Sequence, residues 1–254
     1  MQKPAMTMIR RSTLTAIAIP LALALAACGG NAEDAGPPSG EPIAAIAAPA
    51  GTEWADTASE TAEGGFVIGN PEAPIKLVEY ASHTCSHCAD FSVDAAATLR
   101  EKYVASGVVS YEIRNLVREP LDLTIAVLAR CSGPEAFHPL AEQAWANFNT
   151  IYQTASANQA AYGAAMEKAG AARFHGVAEA AGLIDFFAAR GISRDQAMAC
   201  LADTDKITQI AERSETQSRE QNITGTPSFF LNGSRLNVTT WEALEPLLQN
   251  AGAR

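Results

Sequence analysis

Apolar positions fall into three regimes along the chain. An uncharged apolar run, Leu14 to Ala27, follows Lys3, Arg10 and Arg11; residues 29 to about 63 show no apolar period; from Gly65 onward, short strand-like runs and longer helical patterns take over. Phe66-Val67-Ile68-Gly69 reads as a short strand, ended by the turn Asn70-Pro71-Glu72-Ala73-Pro74, and Ile75 to Ala81 reads as the next strand. Ile75, Leu77 and Val78 are nearly continuous in apolarity, so this strand is expected to be central and covered on both faces. Ala89 to Val104 has helical composition and Gly107 to Arg114 alternates as a strand, which together make a right-handed βαβ unit. From Leu121 to Gln221 the pattern is helical, with expected helices Leu121 to Cys131, Pro134 to Ala155, Gln159 to Ala171 and Val177 to Arg190. Ser193-Arg194-Asp195-Gln196 is a capping box opening a helix to Leu201, and Asp203 caps another to about Gln221. Strands return with Ser228 to Leu231 and Ser234 to Val238 around Asn232-Gly233, a strong hairpin signal. Thr239-Thr240-Trp241-Glu242 reads as a second capping box, opening a last helix to about Gln249. The expected class is α/β, with a helical subdomain inserted in it.

The first regime changes where the protein is expected to work. Three basic residues ahead of an apolar run too short to span a bilayer comfortably make an export signal over residues 1–27. Leu25-Ala26-Ala27-Cys28 resembles a bacterial lipoprotein box, which implies lipidation of Cys28, a lipid anchor in the membrane and a place in the cell envelope, on the periplasmic side. The alternative is an ordinary cleaved signal with a coincidental cysteine. Residues 28–63, rich in Ala, Gly, Pro, Ser, Thr and acids, read as a disordered tether with a reach of roughly 30–35 Å. Formal net charge is −10, and removing residues 1–27 takes three bases and no acid, leaving −13. Such a surface repels phosphate backbones, so nucleic acid is excluded as a partner.

The chemistry concentrates in Cys85-Ser86-His87-Cys88, between the strand ending at Ala81 and the helix that follows. A helix N-terminus beside the first sulfur favours thiolate over thiol, which makes Cys85 the candidate nucleophile. Cys88, one turn further in, would resolve mixed disulfides, and His87 would add a donor and, when protonated, a positive charge near Cys85. A zinc half-site or a structural disulfide is the other reading of Cys-x-x-Cys. His83 and His87 with both cysteines could suggest copper or zinc, but a helix starting at Cys85 turns His87 away from the sulfurs, so no metal is expected. Glu79, a carboxylate on a buried strand six positions before Cys85, would have a raised pKa and relay a proton, unless it reaches solvent or pairs with a lysine. Pro227, opening a strand, is either a trans edge residue or a cis-proline in a tight turn. His138 and His175 are expected at helix surfaces or core edges. Trp145, Phe148, Tyr152 and Phe174 are expected to pack between helices, with part of that face free to line a peptide groove.

Taken together, these pieces resemble the thioredoxin fold in its DsbA-like form, the periplasmic thiol-disulfide oxidoreductases. The resemblance covers about Gly65 to Ala251 and is carried by Asn70-Pro71 with Ala73-Pro74, Glu79, Cys85 to Cys88 and Thr226-Pro227. It implies thioredoxin-like parts at 64–118 and 203–254 around a helical insertion at 119–202. It also implies a cis peptide at Thr226-Pro227 that packs on the active-site pair and binds a substrate strand, and an acid at Glu79 beneath the dithiol. Ser86 departs from the family's familiar proline, loosening the motif and adding a hydroxyl that tunes the reduction potential. Of the remaining cysteines, Cys131 and Cys200 both lie in expected insertion helices, and an exported chain permits them to pair; two buried free thiols are the alternative. The function expected is an oxidase donating the Cys85–Cys88 disulfide to exported proteins with free thiols. No bound cofactor is needed, a membrane redox partner is implied by the family, and no segment reads as a dimerisation element, so a monomer is expected. A disulfide reductase or isomerase, or a thioredoxin-fold copper metallochaperone, are the alternatives.

Overall fold

The computed structural model describes residues 40–254. The expected signal peptide and lipidated Cys28 lie outside the described residues. Six strands form one sheet: β1 (Ala58–Glu60), β2 (Phe66–Gly69), β3 (Ile75–Ala81), β4 (Val109–Asn115), β5 (Ser228–Leu231) and β6 (Ser234–Arg235), in the order β1-β2-β4-β3-β5-β6. Among the described strands only β3 and β4 run parallel, joined by the crossover through α1 (Ser86–Thr98) and a π-helical continuation, Leu99–Val104. Between β4 and β5 lie eight helices: α2 (Pro120–Ala129), α3 (Pro134–Ala146), α4 (Phe148–Ala157), α5 (Gln159–Met166), α6 (Ala171–Ala180), α7 (Leu183–Ala188), α8 (Arg194–Ala202) and α9 (Thr204–Glu220). The helix α10 (Trp241–Asn250) closes the fold. This is the α/β architecture with a helical insertion that the pattern predicts.

Register decides which residues share a face. Phe66 pairs with Ile113, Ile113 with Glu79 and Glu79 with Phe229, so these four project to one side, beneath α1. There Phe91 of α1 meets Phe229 at 4.6 Å between ring centroids. The opposite face carries Val67, Glu112, Val78 and Phe230. β3 is central as expected, but it is not covered on both faces throughout: Lys76 is exposed and Val78 half-buried beside an open cavity of about 520 Å³.

Other departures have local causes. The tether expected as far as residue 63 is corrected from Gly40 onward. Ile43 donates its N–H to Gly252, Ile46 to Ser106, and the Trp54 indole closes on the Ile46 carbonyl at 2.8 Å. β1 then satisfies the free edge of β2, which would otherwise stay unpaired. The helix expected from Pro134 to Ala155 breaks at Asn147, whose side chain donates to the Gln143 carbonyl at 2.9 Å and competes with the backbone ladder. The one expected from Val177 to Arg190 breaks at Gly182, which sits at φ +68° in the left-handed region. Ser193 and Asp203 cap their helices through the N–H groups of Gln196 and Lys206. Thr240 precedes α10 without a side-chain capping bond, so the second capping box is not formed. The Asn232-Gly233 turn joins β5 and β6, with positive φ at both residues, as a type I′ hairpin requires.

Candidate active site

β3 ends at Ala81, and the loop Ser82-His83-Thr84 delivers Cys85 to the N-cap position of α1. Cys85 and Cys88 are free thiols, 5% and 0% exposed, while Ser86 and His87 between them face solvent. The two sulfurs are chemically unlike. Cys85 is held down to about 4, first by the hydrogen bond from the Cys88 thiol, against the opposing pull of desolvation. The Thr226 side chain and the backbone N–H groups of Cys88 and His87 add to that stabilisation. Cys85 makes no capping hydrogen bond by strict geometry, so these N–H groups act as the positive end of α1 rather than as close donors. Cys88 is pushed well above the ordinary thiol range, mainly by burial, and further by its bond to Cys85 and by the charge of Glu79. His87 contributes its backbone N–H to Cys85, and its side chain is exposed.

Thr226-Pro227 is a cis peptide, and the Thr226 carbonyl lies 3.2 Å from Cys85 Sγ, where it accepts from the thiol when Cys85 is protonated. Glu79 is 1% exposed and meets neither solvent nor a lysine. It accepts a hydrogen bond from the Tyr111 hydroxyl, Oε1 has no partner, and burial raises its carboxyl to about 8. It is therefore largely protonated at neutral pH, the state in which it can give a proton to a neighbouring thiolate.

The loop ahead of Cys85 is held by the insertion. Asp122, fully buried in the first turn of α2, accepts from Ser82 Oγ at 2.6 Å, His83 N–H at 2.8 Å and Arg118 N–H at 3.0 Å. Arg118 and Tyr152 both donate to the Thr84 carbonyl, and the Trp145 indole donates to that of Ser82. His83 stacks on Trp145 with centroids 4.7 Å apart, and burial drives its pKa down to about 3. Trp145 thus packs against the redox loop and not only between helices, and with Ser86, Val93 and Phe148 it lines a cavity of about 320 Å³ beside the motif. His138 is a core residue, wholly buried, rather than one at an edge; His175 bonds the Met198 carbonyl across the insertion. Tyr111, Asp122 and Arg118 escape a reading of the sequence because each meets the site from a distant segment. An aspartate in the first turn of an apolar helix is the only signal any of them offers, and it reads as an ordinary helix start.

A disulfide joins Cys131 and Cys200, 69 residues apart in sequence, and ties the end of α2 to α8. Among the described residues no group of three or more His, Cys, Asp or Glu is placed to hold a metal, and no helix is long and apolar enough to cross a membrane.

Residues 61–250 match a family model described as Thioredoxin. Proteins of Rickettsia typhi and Rickettsia conorii, provisionally named protein-disulfide oxidoreductases, are 29% and 30% identical over 176 residues, 66% of this chain. The chain spans about half the length of these relatives, 54% and 53%. A crystal structure of a protein-disulfide isomerase from Novosphingobium aromaticivorans superposes with a TM-score of 0.66 at 29% identity, covering 72% of this chain and 94% of that one. Wolbachia pipientis alpha-DsbA1 shares the fold, with a TM-score of 0.59 at 19% identity over 73% of this chain and 89% of its own. The parallel β3–β4 pair, the dithiol at the head of α1, the Thr226-Pro227 loop and the match over most of the chain place this protein in the thioredoxin family.

Proposed function

We propose that this protein is a thiol-disulfide oxidoreductase of the cell envelope that works as an oxidase, donating the Cys85–Cys88 disulfide to exported proteins. The observation that carries the reading is the contrast between the two sulfurs: Cys85 at about 4, Cys88 buried and well above the thiol range. A nucleophile that prefers to be a thiolate stabilises the reduced pair, and so makes the disulfide a stronger oxidant.

In the forward direction a substrate thiolate attacks Cys85 Sγ and the Cys85–Cys88 bond breaks. Cys88 leaves as a thiolate and takes up a proton, for which the protonated Glu79 carboxyl is the buried source. A second substrate thiolate then attacks the substrate sulfur of the mixed disulfide and expels Cys85 as a thiolate. The substrate has lost two electrons and the dithiol has gained them; a membrane redox partner would remove them again. Thr226, beside Cys85, offers backbone groups to a substrate strand. Lipidation at Cys28 would hold the enzyme at the membrane, a reading that the pattern Leu25-Ala26-Ala27-Cys28 supports.

The test is the reduction potential of the Cys85–Cys88 pair in glutathione buffers, followed by mass spectrometry to separate it from Cys131–Cys200. A value near −120 mV, roughly the oxidising end of the family, supports the donor role. A value of about −180 mV or lower, in the range of isomerases and reductants, overturns it.

A further inference from the structure

Away from the dithiol, where the insertion meets the sheet, basic side chains outnumber acidic ones around one cavity. Arg130, the C-cap residue of α2, is 7% exposed and, among the described residues, has no carboxylate within salt-bridge distance. Its guanidinium donates to Asn115 Oδ1 at 2.6 and 3.2 Å and to the Gly64 carbonyl at 3.0 Å, and lies over the Phe66 and Phe137 rings. Carbonyl dipoles and ring faces offset only part of the cost of burying a full charge. Arg213 of α9 brings a second guanidinium against Gly64, where even a Cβ would collide with it, and its charge acts unfavourably on Arg130. Lys206, one and a half to two turns earlier on α9, lines the same cavity of about 70 Å³, and neither Lys206 nor Arg213 is in an ion pair among the described residues. Glu60 and Glu63 also line it; Glu63 faces Arg114, and Glu60 is the carboxylate whose charge favours Arg130. An independent sign comes from Asn115. Its side chain is 6% exposed and lines the cavity, Oδ1 is committed to Arg130, and Nδ2 has no partner among the described residues.

Arg114, Arg130, Lys206 and Arg213 outnumber Glu60 and Glu63 around this space, and with the unsatisfied Asn115 amide they leave an excess of donors and positive charge. We propose that this cavity is a binding site for a small tetrahedral oxyanion of the phosphate class, held by Arg130, Arg213, Lys206 and Asn115 Nδ2. The ion would cancel the repulsion between the two guanidinium groups and tie α9 to the end of α2 and to the Gly64 turn. The site uses none of the redox machinery, so its occupancy would appear as stability.

The probe is inorganic phosphate, titrated against the intact protein at constant ionic strength made up with chloride, with the thermal unfolding midpoint as readout and calorimetric titration as a second measure. Wild type is expected to show a saturable rise in the midpoint. The exposed-side variants Arg213→Gln and Lys206→Gln, which spare the buried Arg130, are expected to weaken the apparent affinity by about tenfold or more each. A linear rise shared by wild type and both variants is general salting-out and would overturn the site, as would no rise, or a saturable one that the double variant retains.

Discussion

Glu79 gives the most demanding prediction because its state is set mainly by burial. Replacing it with glutamine keeps the shape and an oxygen to accept from Tyr111, and removes the titration. Wild type holds this carboxyl at about 8 when folded against 4.5 in the free chain. Between those values the folded state binds the proton that the unfolded state has released, so stability is fully present below about 4.5 and is lost as pH rises toward 8. At about 1.4 kcal/mol per pH unit, the whole window is of order 5 kcal/mol, comparable with the lower end of a domain's total stability. Cys85, at about 4, is ionised across nearly all of that range, so its charge stays constant beneath the measurement. The assay is urea unfolding of wild type and Glu79→Gln between pH 5 and 9, with the active-site pair reduced; other titrating groups cancel in the difference. The two proteins should be near parity at pH 5, and the variant should be the more stable by several kcal/mol at pH 9. A difference that changes by less than about 1 kcal/mol over this range would refute the assignment of a neutral, buried Glu79.

Three further outcomes test the site and its frame. The thiolate absorbance or alkylation rate of Cys85 should titrate near pH 4, and Cys88→Ala, which removes the largest stabilising contact, should move that midpoint upward; an unmoved midpoint would mean the helix terminus does the work alone. Asp122→Asn keeps the side chain's size but loses charge from three hydrogen bonds, two of them to the redox loop, and urea unfolding should show a loss of about 2–3 kcal/mol. Replacing Cys131 and Cys200 together by serine should cost roughly 2–4 kcal/mol by the same measurement, without moving the Cys85 titration midpoint.

How much of this was legible beforehand follows from the range of each interaction. Cys85-Ser86-His87-Cys88 at the head of a helix, the caps at Ser193 and Asp203, and the Asn232-Gly233 turn depend on neighbours within a few residues, so composition and spacing determine them. The order of strands and helices follows likewise from hydrophobic period. The sequence alone also narrows Glu79 to a carboxylate on a central strand. That it is buried, neutral and bonded to Tyr111 depends on β3 lying beside β4 in one particular register, in which Glu79 faces Ile113 and Leu77 faces Tyr111. β1 carries no alternation of its own and exists because β2 leaves an edge to be paired. Asp122, Trp145 and Arg118 reach the redox loop only because the insertion folds back over it, and Arg130 meets Arg213 only because α9 returns beside the end of α2. Local geometry chose the reactive pair; desolvation and long-range contacts, which exist only once the chain has closed on itself, decided which groups around it are charged and what holds it in place.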